Sequence, residues 1–148
     1  MARVLLPVDD PEHAHRACDL ALELFPGATF VLIHVINPSD AGYSSEAAIP
    51  GVAEGWYEQQ KENAEALLDD LTDHIEEHEN DGRTEAPTVE HCIEVGQPPQ
   101  TIVAYIEQGD IDHVVMGSHG RRGVSRLLLG SVAETVVRHS PVPVTVVQ

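Results

Sequence analysis

Lysine is almost missing from this chain. Lys61 is the single one, and all eight basic residues stand against 25 acidic ones, for a formal net charge of −17. A surface of that sign repels phosphates, so non-specific binding to DNA or RNA is excluded, and anionic membrane surfaces are disfavoured on the same ground. Cysteine is scarce too. Cys18 and Cys92 lie far apart and share no metal-ligand spacing, which predicts buried free thiols in place of a disulfide or a zinc site. No apolar run approaches membrane-spanning length, and Met1 to Pro7 lacks the extended apolar stretch of a signal peptide. A soluble, cytoplasmic protein is expected. The lone lysine also excludes the P-loop pattern of Gly, four residues, Gly-Lys-Ser/Thr, and no Gly-x-Ser-x-Gly elbow is present. Efficient phosphoryl transfer and serine-nucleophile chemistry therefore lack their usual signatures.

What is abundant is carboxylate. Dense surface carboxylates become tolerable where salt shortens the Debye length, to roughly 3 Å at 1 M, so a salt-loving source is expected. The 148 residues suit one domain, 1–148, with chain enough for a single buried core. The few cations are unevenly placed: Arg121, Arg122, Arg126 and Arg138 make half of the basic residues and fall within the final 28. Arg121 and Arg122 directly follow a glycine turn, where concentrated positive potential would meet an anion.

That turn, Gly117-Ser118-His119-Gly120, precedes a second, Gly130-Ser131, by nine residues. The first follows the apolar run Ile111 to Met116, read as a buried strand. The second opens Ser131 to Val137, read as a helix. Strand, glycine turn and helix start is the order of an anion-binding cradle: glycine lets the main chain approach a phosphate without a Cβ clash, and helix-start amides point at the charge.

The rest of the chain alternates strand and helix. Arg3 to Val8 reads as a strand, and the stretch from Pro11 to Phe25, closed by Pro26-Gly27, as a helix. Thr29 to Ile36, ended by Asn37-Pro38, is a second strand. Residues 39 to 55 read as a connection with no rigid element, and Trp56 to Glu79 as a long acidic helix with apolar positions Ala64, Leu67, Leu68, Leu71 and Ile75. Thr88 to Val95 is a third strand, and Pro98 to about Gln108 a helix stopped by Gly109. Ile111 to Met116 is a fourth strand, Val124 to His139 a helix that Gly130 could interrupt, and Val142 to Val147 a fifth strand. Strands of nearly continuous apolar character between helices predict an α/β fold, a doubly wound five-stranded parallel sheet with helices on both faces. Ligands in such folds lie beyond the carboxyl ends of the strands, where the strand order reverses.

The spacing Gly117, Gly120, Gly130, Ser131, set within Val115-Met116-Gly117-Ser118-His119-Gly120 and Leu129-Gly130-Ser131-Val132-Ala133-Glu134 and followed by Ser140-Pro141-Val142-Pro143-Val144, resembles the universal stress protein family over essentially the full length, in the branch that binds ATP. The resemblance implies strand order 3-2-1-4-5 and ATP as bound ligand, with Mg²⁺ able to accompany the triphosphate. It implies that Pro7, Val8 and Asp9 line one side of a crevice, that Asp9 bonds adenine or ribose, that the backbone of Val8 and Val35 contacts adenine, and that Met116 borders it. Phosphates would meet Gly117, Gly120, Gly130, Ser131 and Val132, with Arg121 and Arg122 adding charge-assisted contacts. A homodimer through the strand at 142–147 is also implied, with Pro143 at a position whose missing donor faces away. One departure stands out: Asp10-Pro11 replaces the small polar pair usual after the first-strand aspartate, adding a carboxylate that could repel a triphosphate. Either Asp9 or Asp10 could alternatively cap the first helix.

His74 and His78 stand four apart, a spacing that can hold a divalent metal, with Asp70 and Glu77 nearby. No third ligand converges in the sequence, so the pair is read as a solvated helix face and no metal ligand is assigned. His119, within the first turn, is read as structural. The sequence thus points to an ATP-binding stress-response regulator or nucleotide-dependent switch with no assigned catalytic residue. A nucleotide-free structural or chaperone-like dimer is the alternative, and slow ATP hydrolysis a third.

Overall fold

Alternation along unbroken apolar runs divides each central strand between two faces. In the first strand, β1 (Arg3–Pro7), Val4 and Leu6 point to one side and Leu5 to the other; in β2 (Thr29–Ile36), Phe30 and Leu32 join the first side and Val31 and Ile33 the second. Both faces are buried along residues 4–6 and 30–33, which is why these stretches carry no polar alternate. The computed structural model describes residues 2–41, 52–78, 86–118 and 129–148, apart from the side chains of residues 52 and 53.

The first face is covered by α1 (Pro11–Leu24) and α2 (Val52–Glu77). Small residues on α1, Ala14, Ala17, Cys18 and Ala21, pack with Leu68, Leu71 and Ile75 of α2 over Phe30 and Leu32. Following β3 (Thr88–Val95) come α3 (Pro98–Gln108), β4 (His113–Gly117), α4 (Ser131–His139) and β5 (Val144–Val147). Ile102 and Ile106 of α3 and Ala133 and Val136 of α4 close the second face over Leu5, Val31 and Val114. Each fully buried aliphatic side chain contributes roughly 1.5–3 kcal/mol to holding these layers together.

All five strands are parallel, in the order β3-β2-β1-β4-β5, the order implied by the family resemblance. The chain runs outward from β1 through β2 to β3 and then crosses to the far side of β1, so the order reverses between β1 and β4. Pairing there covers Val4 with His113 and Leu5 with Val114, whereas β1 and β2 pair from Arg3–Thr29 to Pro7–Ile33. Pro7 supplies a reason. The amide of Val8 donates to Ile33 of β2 at 2.9 Å, so by alternation position 7 turns its nitrogen towards β4, and proline has no hydrogen to offer. The two strands part where a ligand crevice needs them to.

Several boundaries differ from the sequence expectation. The long helix starts at Val52, four residues before Trp56, its exposed Glu54 and Gly55 giving no apolar signal ahead of Trp56; it ends at Glu77, before Glu79. The preceding connection is not wholly irregular either, since Pro38–Ala41 forms a 3₁₀ turn. Ile111 is buried but lies outside β4, which begins at His113 after a turn through Asp110, whose φ is 53°. The fifth strand begins at Val144, not Val142: the Ser140 hydroxyl accepts from the Val142 amide at 3.1 Å and donates to the Val142 carbonyl at 2.8 Å, holding that residue in a turn. The described part of the fourth helix begins at Ser131, with Gly130 as its N-cap; the helical stretch expected over residues 124–128 lies outside the described residues. Cys18 and Cys92 are free, as read, but Cys92 is half-buried where full burial was expected. Burial pushes the Cys18 thiol pKa up to about 12, with the neighbouring Asp19 carboxylate adding to the effect. No helix among the described residues is long and apolar enough to cross a membrane.

Candidate functional site

A crevice of about 850 Å³ opens at the carboxyl ends of the strands, where β1 and β4 part. This volume is ample for a drug-sized or nucleotide-sized ligand. Its floor is apolar: Ile33, Ile102, Met116 and Ala133 meet there from both sides of the sheet order. One wall is the turn Pro7-Val8-Asp9-Asp10 leading into α1, and Val35, Ser39 and Asp40 after β2 continue it. The opposite wall is Gly117, Ser118, Gly130, Ser131 and Val132.

The two glycine turns are physically joined. The Gly130 amide donates to the Ser118 carbonyl at 2.7 Å, and the Ser118 amide donates to Val147 of β5 at 2.8 Å. Ser118 is accordingly buried, at 1 % exposure. The first helical bond of α4 runs from the Glu134 amide to the Gly130 carbonyl at 2.9 Å, so the amides of Ser131, Val132 and Ala133 precede the helix ladder. Elsewhere a Ser, Asp or Asn at the N-cap would bond such amides through its side chain; here the N-cap is glycine, which has none to offer. A helix start with a glycine N-cap at the edge of a crevice carries partial positive charge suited to an anion.

The other wall is differently made. Asp10 is the N-cap of α1: its carboxylate accepts from the His13 amide at 3.3 Å and lies 2.6 Å from His13 Nδ1. Pro11 follows at the first helical position, where the missing N–H costs nothing. Capping thus belongs to Asp10, while Asp9 sits exposed on the crevice wall. The Val8 amide is used by Ile33, and the Val8 carbonyl lies 2.8 Å from Nδ1 of His34. Ser39 is held in its turn by a bond from its amide to Asn37 Oδ1 at 2.9 Å, and the Gln97 side chain reaches its hydroxyl at 3.4 Å from the start of α3.

Of the residues singled out in the sequence, Pro7, Val8, Asp9, Val35, Met116, Gly117, Gly130, Ser131 and Val132 all line this one crevice. Gly120, Arg121 and Arg122 lie outside the described residues, as does His119. The sequence reading missed His13, Ser39, Asp40 and Ser118 as lining residues. Ser118 was legible from its place between the glycines; Asp40 and His13 come in only through the approach of β2 and α1. Among the described lining residues there are three carboxylates, Asp9, Asp10 and Asp40, and no lysine or arginine.

A parallel five-stranded sheet whose order reverses between β1 and β4, with glycine turns and a helix start at that point, belongs to the doubly wound α/β class, whose ligands sit beyond the strand ends. Within that class the chain belongs to the universal stress protein family, whose profile matches residues 1–148. It is 28 % identical over 152 residues to universal stress protein MJ0577 of Methanocaldococcus jannaschii, covering 99 % of this chain and 94 % of that one. The solved structure of MJ0577 matches with a TM-score of 0.81 at 26 % identity, over 99 % of this chain and 94 % of that one. Two more distant structures share the fold at 20 % identity. One is a universal stress protein family protein from Arabidopsis thaliana with AMP bound, at a TM-score of 0.69, covering 99 % of this chain and 91 % of that one. The other is a universal stress protein in complex with cAMP, at 0.63, covering 99 % and 97 %.

Proposed function

We propose that this chain binds an adenine nucleotide, ATP in the first place, in the crevice between β1 and β4, and acts as a nucleotide-dependent switch in a stress response. The observation that carries the reading is the junction of Ser118 and Gly130, which sets two glycine turns side by side against the glycine-capped start of α4. Gly117, Gly120, Gly130, Ser131 and Val132 would take the phosphates, and Arg121 and Arg122 would add charge. The apolar floor at Met116 and Ile33 suits a flat base, with Val8, Val35 and Pro7 around it and Asp9 at the ribose or adenine edge. The AMP and cAMP held by two proteins of the same fold support the same ligand class.

Mg²⁺ bound through phosphate oxygens would offset the carboxylates of Asp9, Asp10 and Asp40. Binding, with hydrolysis slow at most, is the proposed activity. Homodimerisation through the edge strand is part of the proposal: Val144–Val147 is half-buried and apolar, and antiparallel pairing with a second copy would cover it. The acidic composition supports a salt-rich cytoplasm as its setting.

Mass spectrometry of ligand released gently from the purified protein tests the reading. An adenine nucleotide is expected. A protein that carries none, and takes none up in high salt with Mg²⁺, would favour the nucleotide-free structural dimer, for which the three crevice carboxylates speak. A monomeric mass by light scattering would remove the dimer alone.

A further inference from the structure

The histidine pair at the end of α2, His74 within it and His78 just past it, lacked a third ligand in the sequence, and the fold supplies one. Asp19 of α1 brings Oδ1 to 2.6 Å from His74 Nε2 and 3.9 Å from His78 Nε2, and ligand atoms of the three side chains all lie within 4.8 Å of one another. We propose that Asp19, His74 and His78 form a binding site for a divalent transition metal of zinc type, which clasps α1 to α2 on the surface away from the sheet.

The donor set favours that class of ion. Two imidazoles and one carboxylate suit Zn²⁺ and its neighbours, whereas Ca²⁺ and Mg²⁺ take oxygen ligands. Tetrahedral zinc with bonds near 2.0–2.2 Å holds its donors about 3.3 Å apart. The present separations bracket that value, so small side-chain rotations suffice. His78 is already oriented: its Nδ1 lies 3.2 Å from the His74 carbonyl and can only donate to it, which leaves the Nε2 lone pair turned to the site. His74 packs edge-on against His15, with ring centroids 4.8 Å apart and planes at 86°. His15 is itself held by Pro11 through Nδ1 at 2.7 Å and by Asp70 through Nε2 at 3.1 Å, so it steadies the His74 ring and does not ligate.

With neutral His74, the bond to Asp19 carries its proton on Nε2. Ligation breaks that Nε2–H bond and forms an Nδ1–H bond by proton exchange with solvent, which frees the Nε2 lone pair for the metal with no electron exchanged. Three protein ligands leave a fourth position for water, and Asp19 and His78 are exposed, so the ion enters directly from solvent. The exposed carboxylates Asp73 and Glu77 on the same helix raise the local concentration of cations. Metal binding would stabilise the native helix pair by mass action, since the unfolded chain does not hold the three residues together.

Calorimetric titration of the full chain, without an affinity tag or nucleotide, with Zn²⁺ in high salt tests the proposal. One Zn²⁺ per chain and a raised melting temperature are expected. Asp19→Asn and His78→Ala, both exposed changes that circular dichroism can show to be folded, should each weaken binding by about tenfold or more. His91→Ala, on the exposed side of β3, should leave it unchanged. Failure to bind one Zn²⁺ per chain, or either ligand variant binding as the unmodified chain does, would overturn the site.

Discussion

The crevice and the outer surface of the α1–α2 pair solve opposite recognition problems with opposite materials. Among the described residues, the crevice groups suited to an anion are main-chain ones: the amides at the start of α4, where the N-cap is glycine and the bond from Gly130 to Ser118 sets the two turns together. Over the helix pair the groups are side chains, two imidazoles and a carboxylate. The difference follows from composition. A chain with one lysine and a net charge of −17 has few cationic side chains to give to a phosphate, but every residue other than proline brings a peptide N–H, whatever the surface charge. Peptide dipoles therefore carry positive potential where the sequence cannot, while cation recognition draws on carboxylates the surface already has.

Changes confined to one region should leave the other intact. The largest effect is expected from Leu71→Ala, which hollows the layer beneath the helix pair where Leu71 is fully buried; denaturant unfolding should show a loss of about 2–5 kcal/mol. Next comes Gly130→Val, which puts a branched side chain on the crevice wall at the N-cap of α4. ATP affinity should fall by about 100-fold, or about 2.7 kcal/mol, with Zn²⁺ uptake on the helix pair unchanged. A smaller, two-signed effect is expected from Asp10→Ala. Loss of the α1 cap should cost about 1 kcal/mol of stability, yet removal of a crevice carboxylate should tighten ATP binding. Titration and thermal melts of the same variant read both signs.

The last effect is a pH slope under the helix pair. Cys18 titrates from 9.0 in the unfolded chain to about 12 in the fold. Its native state holds the proton more tightly, so the stability it contributes is complete below pH 9.0 and drains away as pH rises towards about 12. The melting temperature of the unmodified chain should therefore fall faster over that interval than that of Cys18→Ala; equal slopes would refute the assignment.

Sequence patterns located some of this and not the rest, for identifiable reasons. The bounds of β2 and α3 follow from their punctuation, Gly27 and Asn37-Pro38 around one, Pro98 and Gly109 around the other. The glycine turns were legible because their partners are fixed by short spacing on neighbouring elements. The start of α2 was not, since Glu54 and Gly55 ahead of Trp56 are exposed and leave no periodic trace. Nor was Val142, whose β-branched side chain suits a strand but whose backbone answers to Ser140. Asp40 and His13 enter the crevice, and Asp19 meets His74 across 55 positions, through tertiary approach alone. Contacts of that kind depend on how layers stack, and local pattern does not encode them.

The central claim is that backbone amides at the start of α4, placed by the bond between Gly130 and Ser118, hold a nucleotide in an otherwise acidic protein. Calorimetric titration with ATP in molar KCl and Mg²⁺, comparing the unmodified chain with Gly130→Val, tests it most directly. The account predicts saturable binding to the unmodified chain and about 100-fold weaker binding to the variant. Equal affinities for the two, or no binding to either, would contradict it.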